Sequence, residues 1–105
     1  MKTLTKAQVI KYIKDHGEEG AFEWRATING VKVGLCKTTI ILYDEGYKFP
    51  AFHKVSLNEN GTLMEFETNK GHGAVHYNIF DGDMRAYSEI ADKYFKVMEG
   101  ILNNA

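Results

Sequence analysis

Two histidines four residues apart, His72 and His76, have the spacing in this chain that most resembles a pair of metal ligands. On a helix that spacing brings two imidazoles together, where they can bind Zn²⁺. Here His72 falls in a glycine-rich turn and His76 in a strand pattern, and the predicted register places His53 on the opposite face. Asp81 and Asp83 follow later in the chain and are further possible ligands of such a site. We therefore expect solvated histidines, no metal site and no cofactor.

The other reactive residues do not indicate catalysis. Cys36 is the one cysteine of the chain, and neither a helix start nor a family signature around it would activate the thiol. The segment KGHG at residues 70–73 lacks the Gly-Lys-Ser/Thr ending of a phosphate-binding loop and is not followed by a helix pattern. A buried thiol and a hairpin loop are the simpler interpretations, so no catalytic residue is predicted.

A polar row on the predicted sheet is the first candidate for binding. The expected register places Lys54, Glu65 and His76 side by side across three strands, with Glu65 in the centre. A carboxylate beside an imidazole favours the charged imidazolium, while Lys54 competes for the same carboxylate. The row is either a polar binding site or an exposed charge cluster that contributes at most about 1 kcal/mol to stability.

A group of apolar side chains falls outside the predicted core and is the second candidate for binding. Its members include Ile41, Tyr43, Tyr47 and Phe52. They form either an interface patch or local packing at the edge of the sheet.

Composition restricts the class of protein. The chain has 105 residues, 44% hydrophobic and 26% charged, which is typical of a single globular domain spanning residues 1–105. A net charge of −1 does not favour a polyanion, so no nucleic acid partner is expected. The first twelve residues, MKTLTKAQVIKY, do not form a signal peptide, and no run reaches the roughly 18 apolar residues of a membrane span. A cytoplasmic protein without a membrane partner is expected.

The segment 22–43 organises the predicted fold. Asn29 and Gly30 separate two apolar runs and predict a two-residue hairpin turn, which pairs Trp24 with Leu35 and places Phe22 and Trp24 on the core face. After Leu35 the alternation loses its phase, which indicates a β-bulge within residues 34–38 or a strand end buried on both faces. If residues 40–43 are at an edge of the sheet, two chains should pair there or through the adjacent aromatic residues.

The remaining elements follow from caps and alternation. A capping box at Thr5 and Gln8 starts a helix over residues 5–16, with Gly17 in the C′ position, and a second helix covers residues 83–102. Strands are predicted over residues 51–57, 62–68 and 74–80. Four-residue loops between them place three cross-strand rows inward, namely His53–Phe66–Val75, Val55–Met64–Tyr77 and Leu57–Thr62–Ile79.

The predicted architecture is an α+β two-layer sandwich, in which a five-stranded, mostly antiparallel sheet carries both helices on one face. We expect a small non-catalytic protein that binds another protein, a second copy of the chain included, through the open sheet face or the 40–52 segment. A short chain of this kind also fits an adaptor, an inhibitor or an accessory protein of a virus or mobile element. The alternative is a small enzyme or ligand-binding domain with a pocket between the sheet and the last helix, bounded by His53, Tyr77 and Tyr87.

Overall fold

The computed structural model describes residues 4–44, 51–69, 74–78 and 84–104, with the backbone alone in 74–78 and 84–89. The first element is helix α1, Lys6–His16, which begins with the predicted capping box. The Gln8 amide donates to the Thr5 hydroxyl at 3.2 Å, and the Thr5 amide donates to the Gln8 side chain at 2.8 Å. These bonds satisfy free amides of the first turn, while Val9 and Ile13 turn into the core.

Gly17 follows α1, but its backbone is extended and not left-handed. A side chain would still not fit, because a Cβ atom there would lie 2.5 Å from the carbonyl oxygen of Ile13 and 2.7 Å from that of Arg25. Glycine therefore lets the helix end pass close to the sheet.

One antiparallel sheet follows, with its strands adjacent in chain order. Its strands are β1 Glu18–Glu19, β2 Trp24–Ile28, β3 Val31–Cys36, β4 Thr39–Asp44, β5 Ala51–Leu57, β6 Leu63–Asn69 and β7 Ala74–Asn78. Helix α2, Met84–Asn104, ends the described chain. The predicted α+β class is confirmed, with six full strands and a two-residue edge strand in place of five. Residue 83, the predicted start of the second helix, lies outside the described residues.

The Asn29-Gly30 hairpin is confirmed. Both residues have positive φ, 49° and 79°, and Trp24 pairs with Leu35 as predicted. Phe22 does not join this face, because a hydrogen bond of 2.8 Å from the Gly20 amide to the Glu23 carbonyl turns the chain before β2 begins. Phe22 is 90% exposed as a result.

The bulge expected within residues 34–38 is replaced by a second tight turn. Lys37 has φ 56°, Cys36 pairs with Thr39, and the chain reverses between β3 and β4. The run 40–43 therefore lies in a central strand with β3 on one side and β5 on the other, so the edge position on which the pairing of two chains depended does not occur. The run is apolar because it is buried on both faces of the sheet. Ile40 and Leu42 face the core with exposures of 1% and 0%, and Ile41 on the opposite face is 7% exposed.

The meander of β5, β6 and β7 has a different register from the predicted one, and the first residues of β6 also change faces. Val55 pairs with Phe66 instead of Met64, because the loop after β5 is closed by a hydrogen bond of 2.9 Å from the Asn58 amide to the Thr62 carbonyl. A register shift at Ser56 and Leu57 then turns Leu63 inward. Leu63 is 8% exposed and Met64 36%, the reverse of the prediction.

Both helices pack on one face of the sheet, and the core forms between them and the inward side chains of β2–β6. Helix α2 contributes Ile90, Tyr94, Val97 and Ile101 to this core, all at most 2% exposed. No helix in the described part of the chain is long and apolar enough to cross a membrane.

Candidate functional site

The face of the sheet opposite the helices, called the outer face below, carries the residues that the sequence singles out for binding. The strand register aligns one residue from each of β2–β7 in a single row, namely Arg25, Gly34, Ile41, Lys54, Glu67 and His76. Neither helix packs on this face, and no other described element covers it. It is therefore the broad surface on which the described side chains can meet a partner.

Four of the predicted binding residues meet at the centre of the outer face. Ile41 pairs with Lys54 and Tyr43 pairs with Phe52, so the four side chains occupy adjacent positions on β4 and β5. We call them the outer quartet. Ile41 is 7% exposed and Lys54 is exposed. The Lys54 ammonium lies 5.9 Å from the centre of the Phe52 ring, close enough for a cation–π contact.

Tyr43 is held in place by two residues that sequence reasoning did not single out. Its hydroxyl donates a hydrogen bond of 2.6 Å to Glu23 Oε1, and the Arg25 Nε donates to the same oxygen at 2.7 Å. The Arg25 guanidinium also lies 5.4 Å from the centre of the Tyr43 ring. Burial, together with the bond to Glu23, raises the pKa of Tyr43 to about 12. The phenol is therefore neutral and fixed in orientation at ordinary pH.

Gly34 makes room for this arrangement. It lies in regular pairing with Arg25 and Ile41, so it does not mark the expected bulge. A Cβ atom on Gly34 would lie 2.7 Å from Glu23 Oε2 and 3.1 Å from Tyr43 Cε2. The glycine in the middle of a hydrophobic strand was the signal that a neighbour crosses the outer face closely.

The polar row has a different central carboxylate from the one predicted. Glu67, and not Glu65, pairs with both Lys54 and His76. Glu65 pairs with Ser56 and Asn78, one row further along the strands. The shift is two residues, so Glu65 stays on the outer face even though it leaves the row.

Several other candidates lie apart from this surface or beyond the described structure. Tyr47 and His72 fall outside the described residues, and His76, Tyr77 and Tyr87 are placed by their backbone alone. Cys36 ends β3 and is half-buried. Within the described ranges, no three His, Cys, Asp or Glu residues lie together as a metal site would require.

His53 lies on the inner face, where the alternative pocket was expected. The side chain is 1% exposed, and its Nδ1 lies 3.0 Å from the Thr68 hydroxyl. Its Nε2 lies 3.9 Å from a carboxylate oxygen of Asp44, which is also 3.9 Å from the Lys93 ammonium. The imidazole is enclosed, whereas the Asp44 and Lys93 side chains are 15% and 26% exposed, so His53 does not line an open pocket among the described residues.

The outer face combines an apolar centre with charges of both signs. Its described cations are Arg25, Lys32 and Lys54, and its described acids are Glu18, Glu23, Glu65 and Glu67. Such a surface can recognise a partner by shape and local charge. Comparisons with protein-family models, with curated proteins and with solved structures found no match.

Proposed function

We propose that this chain is a non-catalytic domain that binds another protein through the outer face of its sheet. The observation that carries the proposal is the outer quartet, an aliphatic and two aromatic side chains beside an exposed lysine on the side that neither helix covers. Aromatic residues and arginine are enriched in the centres of protein interfaces, whereas charged residues surround them. The quartet and the flanking charges have this composition.

The fixed orientation of the Tyr43 side chain also favours protein binding through the outer face. Ordering a mobile side chain at an interface costs about 0.5–1.5 kcal/mol. Tyr43 is already ordered by Glu23 and Arg25, and it lies on a central strand paired on both sides. A partner that contacts Tyr43 would therefore spend little of its binding free energy on ordering this side chain.

Charge supports a protein partner over a nucleic acid. Affinity for nucleic acid depends on neutralising several phosphates with lysine and arginine. On the outer face each described cluster of cations has acids beside it, since Glu23 accepts from Arg25 and Glu67 pairs with Lys54, so no continuous cationic surface forms among the described residues. A protein with a complementary arrangement of charges would be oriented by this surface.

Two further features belong to the proposal. A second copy of this chain is one candidate partner, since residues of the quartet could pack against their equivalents.

The cytoplasm is the expected location, because the single cysteine, Cys36, gives no internal disulfide. The alternative of an enzyme or ligand pocket at His53 is less supported, because that side chain is enclosed.

Affinity capture with matched variants tests the proposal. The parent chain, Phe52→Ala, Lys54→Glu and the control Lys14→Glu, whose site is exposed on α1, are used to capture proteins from the cells that make this chain. We expect a partner retained by the parent and the control but bound about 30-fold more weakly by Phe52→Ala, as for a central interface residue. Circular dichroism confirms folding of each variant. A partner retained equally by all four chains would contradict the proposal.

A further inference from the structure

A turn at residues 20–23, between β1 and β2, holds an aromatic ring in solvent. Phe22 is 90% exposed, more than any other large hydrophobic side chain in the described part of the chain, whereas Phe66 in the core is 1% exposed. Ala21 beside it is also exposed. Single apolar residues on a surface are common, so the conformation and the charges around Phe22 decide what its exposure means.

The backbone of the turn fixes the position of Phe22. The Gly20 amide donates a hydrogen bond of 2.8 Å to the Glu23 carbonyl, and a Cβ atom on Gly20 would also lie 2.8 Å from that oxygen. The Glu23 side chain accepts from Arg25 at 2.7 Å and from Tyr43 at 2.6 Å, so the turn is tied to the sheet directly after Phe22. Alternation along β2 predicts Phe22 on the core face, and this closed turn removes it from there. A local conformation that overrides an apolar pattern is expected where a residue has a functional role.

Acidic residues flank the exposed ring in the chain. Residues 18–25 carry three glutamates and one arginine, an excess of two negative charges. Glu23 is bonded to Arg25, whereas Glu18 and Glu19 are exposed and their carboxylates form no ion pair or hydrogen bond within the described part of the chain. Two free carboxylates attract the lysine and arginine side chains of another protein, and they repel an anionic lipid surface or the phosphates of a nucleic acid.

We propose that Phe22 is an anchor that inserts into an apolar pocket of a partner protein, and that the rim of this pocket carries lysine or arginine. A side chain that fills a desolvated pocket contributes much of the binding energy of an interface, while charges at the rim steer association. Because the turn is already ordered, little backbone freedom is lost when the anchor binds. This inference does not depend on the proposed use of the outer face, because Phe22 precedes β2 and is not a member of the outer quartet.

Photo-crosslinking followed by affinity measurement tests the inference. The photoreactive residue p-benzoyl-phenylalanine replaces Phe22 or, as a matched control, Phe95, an aromatic residue that is 56% exposed on α2. The cells that make the chain are irradiated, and mass spectrometry identifies the partner and its crosslinked residue. We expect an adduct from position 22 that is absent from position 95. The partner is then purified, and its Kd for the whole chain is measured by isothermal titration calorimetry.

Matched variants test the anchor and the charges separately. Phe22→Ala should weaken binding about 30-fold, as for a central anchor, and Phe95→Ala should leave Kd within about twofold. Reversing both free carboxylates, with Glu18→Lys and Glu19→Lys, should weaken binding about tenfold at about 20 mM ionic strength and less than about threefold at about 0.5 M. The control Glu99→Lys, at an exposed position of α2, should leave Kd within about twofold.

Three outcomes overturn the inference. They are the absence of an adduct from position 22, an affinity of Phe22→Ala equal to that of the parent or of Phe95→Ala, and a charge-reversed variant that binds as tightly as the parent at low ionic strength. The affinity of Phe52→Ala for the same partner reports separately on the outer face, so a failure of the anchor is distinguished from a failure of the proposed function.

Discussion

Tyr43 and Glu23, twenty residues apart in the chain, are joined on the outer face by a hydrogen bond of 2.6 Å. Glu23 lies just before β2 and Tyr43 near the end of β4, so the bond crosses β3 above Gly34. The Glu23 side chain is 13% exposed and also accepts from Arg25. This relationship fixes the aromatic centre of the surface that we propose as the binding site.

Replacing Tyr43 by phenylalanine tests the contribution of that bond to stability. We expect Tyr43→Phe to lower the free energy of unfolding by about 1–2 kcal/mol, because a partly buried carboxylate loses one of two donors. Urea unfolding measures the change. In Glu23→Gln the same Tyr43 substitution should cost less, and an equal cost in both backgrounds would show that the two side chains do not interact.

Gly100 and Gly30 should respond differently to alanine. In a helix interior Gly→Ala normally stabilises by about 1 kcal/mol. At Gly100 the new Cβ would lie 2.8 Å from Ile28 Cγ2, so we expect a net loss of about 1–3 kcal/mol. Gly30→Ala meets no atom within 4 Å and should cost only the strain of positive φ, about 1–2 kcal/mol. Stabilisation by Gly100→Ala in thermal unfolding would contradict the close contact of α2 with the hairpin.

The register shift at the start of β6 predicts opposite effects at two neighbouring residues. Leu63→Ala should cost about 2–4 kcal/mol because Leu63 is buried, whereas Met64→Ala should cost less than about 1 kcal/mol. Urea unfolding of both variants decides the register. A larger loss at Met64 would restore the pairing of Met64 with Val55 that the four-residue loop predicts.

Local signals predicted the parts of the fold that local chemistry determines. Asn29 and Gly30 predict the hairpin turn because both residues tolerate positive φ. Thr5 and Gln8 predict the start of a helix because the whole capping box lies within four consecutive residues. Lys37 gives no such signal, because a lysine at positive φ is held there by the pairing of the flanking strands, which no short window of sequence reveals. The sixth full strand was missed for this reason.

The sequence predicted which face of the sheet carries the candidate site residues, but not which of these residues lie in the same cross-strand row. Strand alternation has a period of two, so the two-residue register error left Lys54 and Glu65 on the outer face while separating their rows. Glu23 was missed because its contact with Tyr43 depends on the turn at Lys37, which brings β4 beside β3. Alternation along the strands therefore predicts the face, whereas loop conformation decides which residues are neighbours.

Two tyrosines should make stability fall at high pH. Burial raises the pKa of Tyr94 to about 12, and burial with Glu23 raises that of Tyr43 to about 12. In the unfolded chain both tyrosines ionise near pH 10. Their contribution to the free energy of unfolding is therefore complete below that pH and is lost as the pH rises from about 10 to 12. The difference in urea midpoint between the parent and Tyr94→Phe should shrink over this range. A difference independent of pH would contradict the raised pKa of Tyr94.

Site-specific photo-crosslinking tests the use of the outer face most directly. A photoreactive amino acid replaces Lys54 in the outer quartet or Lys14 on the exposed side of α1, and the cells that make the chain are irradiated. Binding through the sheet predicts a covalent adduct with a partner protein from position 54 and none from position 14. An adduct from position 14 but not from position 54, or none from either, would contradict the proposed binding surface.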